Sequence, residues 1–141
     1  MYPTKYKRAK KTELQKAKDK ADKYFSLYVR QRDASDEGHV RCCTCGMWHY
    51  WKYLDCGHFQ SRGYGATRYD EKNTGPQCKD CNIGNQGMQY QFGLYLDGKY
   101  GPKTAEKITI KSRMFSKRNR YDYEQIAEQY KQKIKAKMFK V

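Results

Sequence analysis

Four of the six cysteines in this 141-residue chain fall in two closely spaced pairs that suit a tetrahedral metal site. Cys42 and Cys45 form a CxxC motif followed by Gly46, and Cys78 and Cys81 form a second CxxC motif after 32 intervening residues. Two cysteines separated by two residues can bend around one ion, and a glycine after the pair eases the turn that aims backbone N–H groups at the sulfurs. Two such pairs make a closed four-thiolate site, which is the structural kind of zinc site. We therefore predict that one structural zinc ion binds to these four ligands, Cys42, Cys45, Cys78 and Cys81.

Two further cysteines, Cys43 and Cys56, are surplus to this site. Cys43 could replace Cys42 only by shortening the motif to CxC, and we predict that Cys56 is a small apolar core residue. An even number of cysteines also fits a secreted disulfide protein. Because the first residues carry no signal-peptide core, metal binding in a reducing compartment is the better interpretation, and we expect a cytoplasmic protein.

Residues with the chemistry for phosphodiester hydrolysis lie between and just after the two pairs. His58 follows Asp55 on the same short segment, Asn73 stands five residues before Cys78, and Asn82 follows the second pair directly. Hydrolysis needs a deprotonated water, which an imidazole with a pKa near neutrality can supply. It also needs a divalent cation to neutralise charge on the phosphate and the leaving 3′-oxygen. The alternatives are a core histidine or an extra zinc ligand for His58 and a helix cap for Asn82.

Over about residues 40–90 the chain resembles the HNH (ββα-metal) nucleases and, more closely, the NinG (Rap) recombination proteins of lambdoid phages. The matching positions are Cys42-x-x-Cys45-Gly46, Gly57-His58-Phe59, Arg68-Tyr69-Asp70-Glu71-x-Asn73 and Gln77-Cys78-x-x-Cys81-Asn82. The resemblance implies a phage-encoded endonuclease that cuts branched recombination intermediates, such as Holliday junctions or D-loops, in the host cytoplasm. It implies that His58 is the general base, that Asn73 ties the loop together and orients the histidine, and that Asn82 supplies an oxygen to a catalytic metal.

The chain departs from most HNH nucleases at Gly57, where those enzymes place an Asp or His metal ligand. The second ligand therefore comes from elsewhere, and we predict Asp55, with Gln86 as the alternative. Such a site would hold Mg²⁺ or Mn²⁺ with several waters and the DNA phosphate. Arg62 and Arg68 lie in the following Gly- and Tyr-rich loop, where either could hold the scissile phosphate bidentately or be an ordinary surface arginine.

The elements that position these residues can be predicted from hydrophobic periodicity. Residues 12–32 form a helix with one apolar face, and residues 40–68 form short strands and loops around the metal ligands. A second helix runs from Cys81 to Leu96 and ends at the turn Asp97-Gly98, and a short segment follows Pro102. A last helix over 122–138, capped by Asn119 or Asp122, carries Ile126, Tyr130, Ile134 and Met138. The predicted faces of the first two helices are Leu14, Ala17, Ala21, Tyr24 or Phe25, and Tyr28, and then Met88, Phe92 and Tyr95.

This pattern predicts an α+β fold, with a zinc-bound ββα-metal (HNH-like) core between N-terminal and C-terminal helices. We expect a single domain in three parts: a basic tail and helix over 1–38, the nuclease core over 39–97, and a basic helical arm over 98–141. A mean hydropathy of −1.17 predicts a small hydrophobic core. Small domains with small cores usually need additional stabilisation, such as a bound zinc ion.

The formal charge of +15 is concentrated at the two ends of the chain. Residues 1–32 hold eleven Lys/Arg and three Asp/Glu, residues 33–100 hold seven and eight, and residues 101–141 hold twelve and four. We call the two end regions the basic arms. A charge of this size indicates a polyanionic partner, so we predict DNA, with phosphate contacts from Lys5, Lys7, Arg8, Lys10, Lys11, Arg62, Arg68, Arg118 and Arg120.

Two other functions fit the same sequence. One is a noncatalytic zinc module that binds DNA or RNA, with a structural His58. The other is a sequence-specific HNH nuclease, although a short chain without an obvious recognition domain counts against it. The sequence predicts no membrane span, and it leaves the oligomeric state open, a homodimer included.

Overall fold

A computed structural model of the protein describes residues 7–136 and has the predicted α+β character. The helices are α1 (Glu13–Gln31), α2 (Gln89–Tyr100), α3 (Thr104–Ser112) and α4 (Arg120–Ala136), and the strands are β1 (His39–Arg41), β2 (Trp48–Tyr50), β3 (Leu54–His58) and β4 (Thr74–Cys78). Single 3-10 turns lie at Trp51–Tyr53 and Glu71–Asn73, and one π-helical turn lies at Asp80–Gly84. Within residues 7–136, every helix is too short or too polar to cross a membrane.

The predicted first helix is confirmed as α1. Thr12 caps its N-terminus, accepting a hydrogen bond from the Gln15 N–H at 3.1 Å. Four-residue steps bring side chains onto one helical face, and the face that α1 buries is Ala17, Ala21, Phe25 and Val29. The predicted face was wrong at its ends, because Leu14 is exposed and Val29, not Tyr28, is buried.

Helix α4 packs along α1 and completes the larger core cluster. Asn119 and Asp122 both cap it, since each backbone N–H donates to the other side chain, at 2.8 and 2.9 Å. The helix buries Ala127 and Tyr130, whereas the predicted Ile126 only packs at the edge. Met138 lies outside the described residues.

Two antiparallel hairpins carry the cysteines and the histidine. Strand β1 pairs with β2, and β3 pairs with β4 in a register that sets Leu54 opposite Cys78 and His58 opposite Thr74. The second hairpin packs against α1. A smaller core cluster joins the two hairpins and consists of Val40, Cys42, Leu54, Cys78 and Cys81.

The predicted continuous helix from Cys81 to Leu96 was wrong. The π-helical turn ends at Gly84, and the residues Gln86, Gly87 and Met88 then take positive φ angles of 54°, 86° and 52°. A right-handed helix cannot pass through such angles, so α2 begins only at Gln89. It also passes the predicted turn at Asp97-Gly98 and stops at Gly101, where φ is 108°.

Candidate active site and metal centre

The predicted cysteine cluster is confirmed. The sulfur atoms of Cys42, Cys45, Cys78 and Cys81 all lie within 4.8 Å of one another, close enough to hold one metal ion such as zinc. The first pair is closed by a tight turn in which the Gly46 N–H donates to the Cys42 carbonyl at 2.9 Å. Gly46 has a φ of 75°, a left-handed conformation that glycine adopts without a steric penalty, as expected for the glycine after the motif.

The Cys42 sulfur is prepared for metal binding by hydrogen bonds. The Cys78 N–H donates to it at 3.3 Å, and the Thr44 hydroxyl lies 3.4 Å away. Burial opposes ionisation, but these contacts and the backbone N–H groups of Cys45 and Thr44 lower the pKa of Cys42 to about 6. Because the thiolate is the form that binds metal, the local backbone favours a ligand at this position.

Cys43 and Cys56 lie outside the cluster. Burial raises the pKa of both thiols, that of Cys56 to about 12. Cys43 packs on Gly75, and Cys56 packs against the α1–α4 core. Cys56 thus occupies the apolar position that the sequence predicts, while its side chain also lines a cavity beside His58.

His58, the last residue of β3, is held through its Nε2 atom, which lies 3.0 Å from the Arg68 carbonyl oxygen. A carbonyl can only accept a hydrogen bond, so Nε2 carries the proton and Nδ1 remains an acceptor. Burial lowers the pKa of His58 to about 4, and the hydrogen bond to Arg68 offsets only part of that effect. At neutral pH the imidazole is therefore uncharged.

Asn73 stabilises the loop that contains the Arg68 carbonyl. Its side chain is fully buried, its Oδ1 accepts from the Gln60 N–H at 2.7 Å, and its Nδ2 donates to the Gln60 and Thr67 carbonyls, each at 3.0 Å. The Asn73 carbonyl also accepts from the Phe59 N–H at 2.7 Å. Because Thr67 immediately precedes Arg68, these bonds hold the loop segment that contacts His58.

His58, Asp55 and Asn82 line one open cavity of about 490 Å³. The structure thus brings together the predicted base and both predicted ligands of a catalytic metal. The other lining residues come from α1, β3 and the loop after it, and they are Asp22, Phe25, Ser26, Cys56, Ser61 and Arg62.

Asp55 and Asn82 are in direct contact at the wall of this cavity. The Asn82 Nδ2 donates to one Asp55 oxygen at 3.1 Å, and the Lys79 ammonium lies 2.7 Å from the other. Burial raises the pKa of Asp55, but the hydrogen bonds from Lys79 and Asn82 outweigh it and hold the pKa below its ordinary value. An ionised carboxylate beside an amide oxygen is a donor set for a hard divalent cation.

The structure also bears on the position that holds a metal ligand in most HNH nucleases, Gly57, and on the alternative ligand, Gln86. A Cβ at Gly57 would stand 2.4 Å from Gln77 Oε1, because the buried Gln77 side chain lies across that glycine. Gln86 is exposed beyond the end of the π-helical turn, so the helical spacing from Asn82 on which its candidacy rested is not formed.

The two loop arginines, Arg62 and Arg68, differ in whether their guanidinium groups are available to bind a phosphate. Arg68 donates to both carboxylate oxygens of Asp22, at 3.0 and 2.6 Å, and to the Arg62 carbonyl at 2.8 Å. Its guanidinium is therefore engaged within the protein, contrary to the expectation that it is free to hold a phosphate bidentately. Arg62 is exposed and lines the cavity.

Asp22 is a site residue that the sequence did not reveal. Besides Arg68, its carboxylate accepts from the Tyr69 hydroxyl at 2.8 Å, which joins α1 to the loop that contacts His58. Charged residues are numerous in α1, and neither residue type nor motif spacing distinguishes Asp22 from the others. Its position next to Ala21 on the buried face is the one available signal.

The remaining predicted DNA contacts lie at the surface of the described residues, apart from Lys5, which is outside them. Lys7, Arg8 and Lys10 are exposed, and Lys11 pairs with Asp19 at 2.6 Å. Arg118 donates to the Gly65 carbonyl at 2.7 Å, and Arg120 pairs with Glu124 at 2.8 Å.

A comparison with protein families matched residues 3–138 to a model described as the bacteriophage lambda NinG protein. Comparisons with curated proteins and with solved structures found no match. The family match extends through both basic arms as well as the central residues on which the sequence resemblance rests.

Proposed function

We propose that this chain, which belongs to the bacteriophage lambda NinG family, is a metal-dependent DNA endonuclease with an HNH-type site. The observation that carries the proposal is the hydrogen bond from His58 Nε2 to the Arg68 carbonyl, in a cavity that also contains Asp55 and Asn82. A basic nitrogen and two oxygen donors around one cavity form the set that metal-assisted phosphodiester hydrolysis needs. We propose zinc as the ion of the cysteine cluster.

In this mechanism His58 Nδ1 accepts a proton from a water in the cavity as the water attacks phosphorus. The Arg68 carbonyl keeps the Nε2 proton in place and stabilises the imidazolium that forms. A new P–O bond forms to the water oxygen, and the bond from phosphorus to the leaving 3′-oxygen breaks. The low pKa of His58 keeps the base unprotonated before substrate binds, and the negative phosphate would raise that pKa when it arrives.

Asp55 and Asn82 would hold the catalytic cation, Mg²⁺ or Mn²⁺. The Lys79 ammonium beside Asp55 indicates that this position already favours positive charge. The cation supplies neutralisation of charge on the phosphate and on the leaving oxygen. Arg62, exposed at the same cavity, would orient the phosphate, while Arg68 and Asp22 would position the loop.

Branched DNA is the proposed substrate, on the basis of the resemblance to NinG proteins. The basic arms support a large polyanionic substrate, because they hold 23 of the 30 Lys/Arg and their helices α1 and α4 pack against each other. Phosphate contacts of this kind position a protein without reading sequence.

The test is to incubate zinc-loaded protein with a labelled four-way junction and with a duplex of matched sequence, with and without Mg²⁺ or Mn²⁺. We expect cleavage that requires the added cation and favours the junction. Equal cleavage of both substrates would contradict the proposed preference for branched DNA. Binding without cleavage under every condition would refute the proposed nuclease activity.

The second candidate, a noncatalytic zinc module, has one observation in its favour. Both Asp55 oxygens are already satisfied, one by Lys79 and one by Asn82. Substituting Lys79→Ala separates the candidates: a nuclease should retain or gain cation affinity at Asp55, whereas a module that needs the ion pair for its structure should lose stability.

A further inference from the structure

The segment 113–119, between α3 and α4, presents two adjacent apolar side chains to solvent. Phe115 is 91% exposed and Met114 is 60% exposed. Exposed apolar patches on a soluble domain mark contact sites when they are held in place and bordered by polar residues. Both conditions are met by this segment.

Four contacts made by two arginines anchor the segment on either side of Phe115. Before it, the Arg113 guanidinium lies over the Tyr64 ring, 4.4 Å from its centre, and donates to the Tyr64 hydroxyl. After it, Arg118 donates to the Gly65 carbonyl at 2.7 Å and lies 5.1 Å from the centre of the Tyr69 ring. The backbone that carries Phe115 is therefore anchored on both sides, and its ring projects from the protein surface.

The chain around Phe115 is rich in basic residues, of which Lys111 pairs with Asp70 and Arg120 with Glu124. From residue 107 to residue 121 the chain contains no Asp or Glu, and its six basic residues are Lys107, Lys111, Arg113, Lys117, Arg118 and Arg120. Most of these side chains are exposed. A protein partner with an apolar pocket would not need this charge, whereas a nucleic acid offers stacked apolar bases between negatively charged phosphates.

The segment also packs against the loop that serves the candidate active site. Tyr64 and Gly65, to which it is anchored, lie between Arg62, which lines the cavity, and Arg68, whose carbonyl holds His58. A base step that received Phe115 would thus be held close to the strand entering the cavity.

From these observations we infer that Phe115, supported by Met114, is a wedge that inserts between stacked bases of the bound DNA. Apolar side chains on basic surfaces insert into base steps in this way, unstack them and kink the duplex. The inference rests on the proposed function, because it describes how the DNA substrate would be held beside the cleavage cavity. It adds a reason for a preference for branch points, where stacking is already interrupted.

The experiment measures DNA binding and base unstacking without cleavage. Zinc-loaded full-length protein, with no added Mg²⁺ or Mn²⁺, is titrated into four-way junctions that carry one 2-aminopurine placed in turn at each position around the branch. Unstacking of the probe increases its fluorescence. The variants are Phe115→Ala, Phe115→Trp and, as a control for removal of an exposed apolar side chain elsewhere, Leu94→Ala on α2, where Leu94 is 55% exposed.

We expect wild type, Phe115→Trp and Leu94→Ala to increase fluorescence at one or more positions. Phe115→Ala should abolish the increase and weaken junction binding roughly tenfold, as for the removal of one base–aromatic stack. Unchanged affinity and fluorescence for Phe115→Ala would overturn the inference, and so would wild type giving no increase at any position. A change of oligomeric state in Phe115→Ala, measured by sedimentation, would also overturn it by assigning the side chain to a contact between copies.

The experiment distinguishes failure of the proposed insertion of Phe115 from failure of the proposed nuclease activity. His58→Ala should leave the fluorescence increase intact while losing cleavage, because His58 does not touch the segment's apolar tip. Cleavage by wild type with no unstacking would refute the wedge alone, and unstacking without cleavage under any cation would refute the nuclease alone.

Discussion

A small number of contacts determine the tautomer and the protonation state of the His58 imidazole. The Phe25 ring centre lies 6.2 Å from it, and the Arg68 carbonyl fixes its proton on Nε2. Burial makes protonation unfavourable, so the ring is ready to accept a proton but not to retain one. This is the state that the proposed general base requires.

His58→Ala should keep the fold and the bound zinc but lose most cleavage. Removing a general base typically slows the reaction by on the order of a hundredfold to ten-thousandfold. The measurement is single-turnover cleavage of a four-way junction at saturating Mg²⁺, with metal analysis of the same sample. His39→Ala, at an exposed histidine on β1, is the control and should cut normally. A His58 variant within a few-fold of wild type would show that another group is the base.

Gly57→Ala should destabilise the domain, although the substitution adds a single methyl group. The new Cβ would stand 2.4 Å from Gln77 Oε1 and 2.9 Å from Gln77 Cβ. Gln77 cannot easily move, because its Nε2 donates to Thr44 and to the Gly87 carbonyl. Overpacking of this kind costs roughly 1–3 kcal/mol, measurable as a lower free energy of unfolding in urea.

Gly98→Ala is the matched control for that substitution. Gly98 lies inside α2, and a Cβ there would meet nothing within 4 Å. It should therefore stabilise the protein by about 0.5–1 kcal/mol, because alanine is the better helix former. Equal stability of the two alanine variants would contradict the role assigned to Gln77 and the explanation of why this chain has glycine before the histidine.

At the scale of elements, the loop from Phe59 to Asn73 links the proposed base, His58, to the rest of the fold. It has little regular structure, yet Asn73 ties its two ends together and Asp22 of α1 holds its middle through Arg68 and Tyr69. The Arg68 carbonyl therefore owes its position to two separate elements. A substitution at Asn73 or at Asp22 should therefore shift the Arg68 carbonyl and, with it, the His58 ring.

Asn73→Ala should reduce both stability and cleavage. The substitution leaves the partly buried Gln60 N–H without its partner and removes one of the two hydrogen bonds that the Thr67 carbonyl accepts, at a cost of roughly 1–3 kcal/mol. Thermal unfolding measures the first effect, and kcat on the junction, at a temperature where the variant stays folded, measures the second. Asn119→Ala, which removes an exposed helix cap, should lower stability modestly and leave kcat unchanged. Normal kcat in a folded Asn73 variant would argue against its role in positioning His58.

Local patterns in the sequence predicted α1, α4 and the cysteine cluster, because each depends on spacing within a short segment. Four-residue apolar steps define α1, and the CxxC-Gly motif brings its own turn. The interruption before α2 could not be predicted in this way. The positive φ angles at Gln86 and Met88 are stabilised by a contact from Gln77 of β4 to the Gly87 carbonyl, and a segment's own periodicity does not report such a contact.

The site could be predicted only in part, for the same physical reason. His58, Asp55 and Asn82 were found because they stand next to the metal motifs in the sequence. Arg68 was predicted to face a phosphate, but its partner, Asp22, lies 46 residues earlier in the chain. Pairing over that separation depends on how α1 packs on β3, which the sequence pattern does not specify.

At the scale of the whole molecule, two core clusters of different kinds stand out within residues 7–136. One is the α1–α4 contact around Phe25, and the other is the small cluster around Cys42, Leu54 and Cys78. The second core is too small to be stable through apolar burial alone. A structural zinc site contributes on the order of 10 kcal/mol, comparable to the total stability of a small domain.

Cys78→Ser should therefore lose zinc and unfold the hairpins, even if α1 and α4 keep helical structure. Metal analysis and near-ultraviolet circular dichroism of the purified variant test this. Cys56→Ala, outside the cluster, is the control and should bind one zinc per chain. Folded wild type that contains no zinc, in a sample never exposed to chelator, would refute the assignment of the metal.

The basic arms should supply affinity for DNA without taking part in the chemistry. They hold 23 of the 30 Lys/Arg, whereas His58, Asp55 and Asn82 lie between them. Removal of residues 1–11 takes away Lys5, Lys7, Arg8, Lys10 and Lys11, of which Lys11 already pairs with Asp19. Each phosphate that is no longer neutralised should reduce the slope of log affinity against log salt by about 0.9, so we expect a smaller slope by roughly one to three units.

Cleavage at saturating protein should stay near normal in the truncated chain, because α1 and its contacts with the His58 loop are intact. A full-length variant with Lys7, Arg8 and Lys10 replaced by glutamine separates charge from length, and it should show most of the same reduction in slope. Titrations of wild type, truncated and glutamine variants against one junction, at several salt concentrations, give the answer. Equal slopes and affinities for all three would mean that the tail does not touch DNA, and the C-terminal arm, with the segment that carries Phe115, would then be the remaining surface for the phosphates.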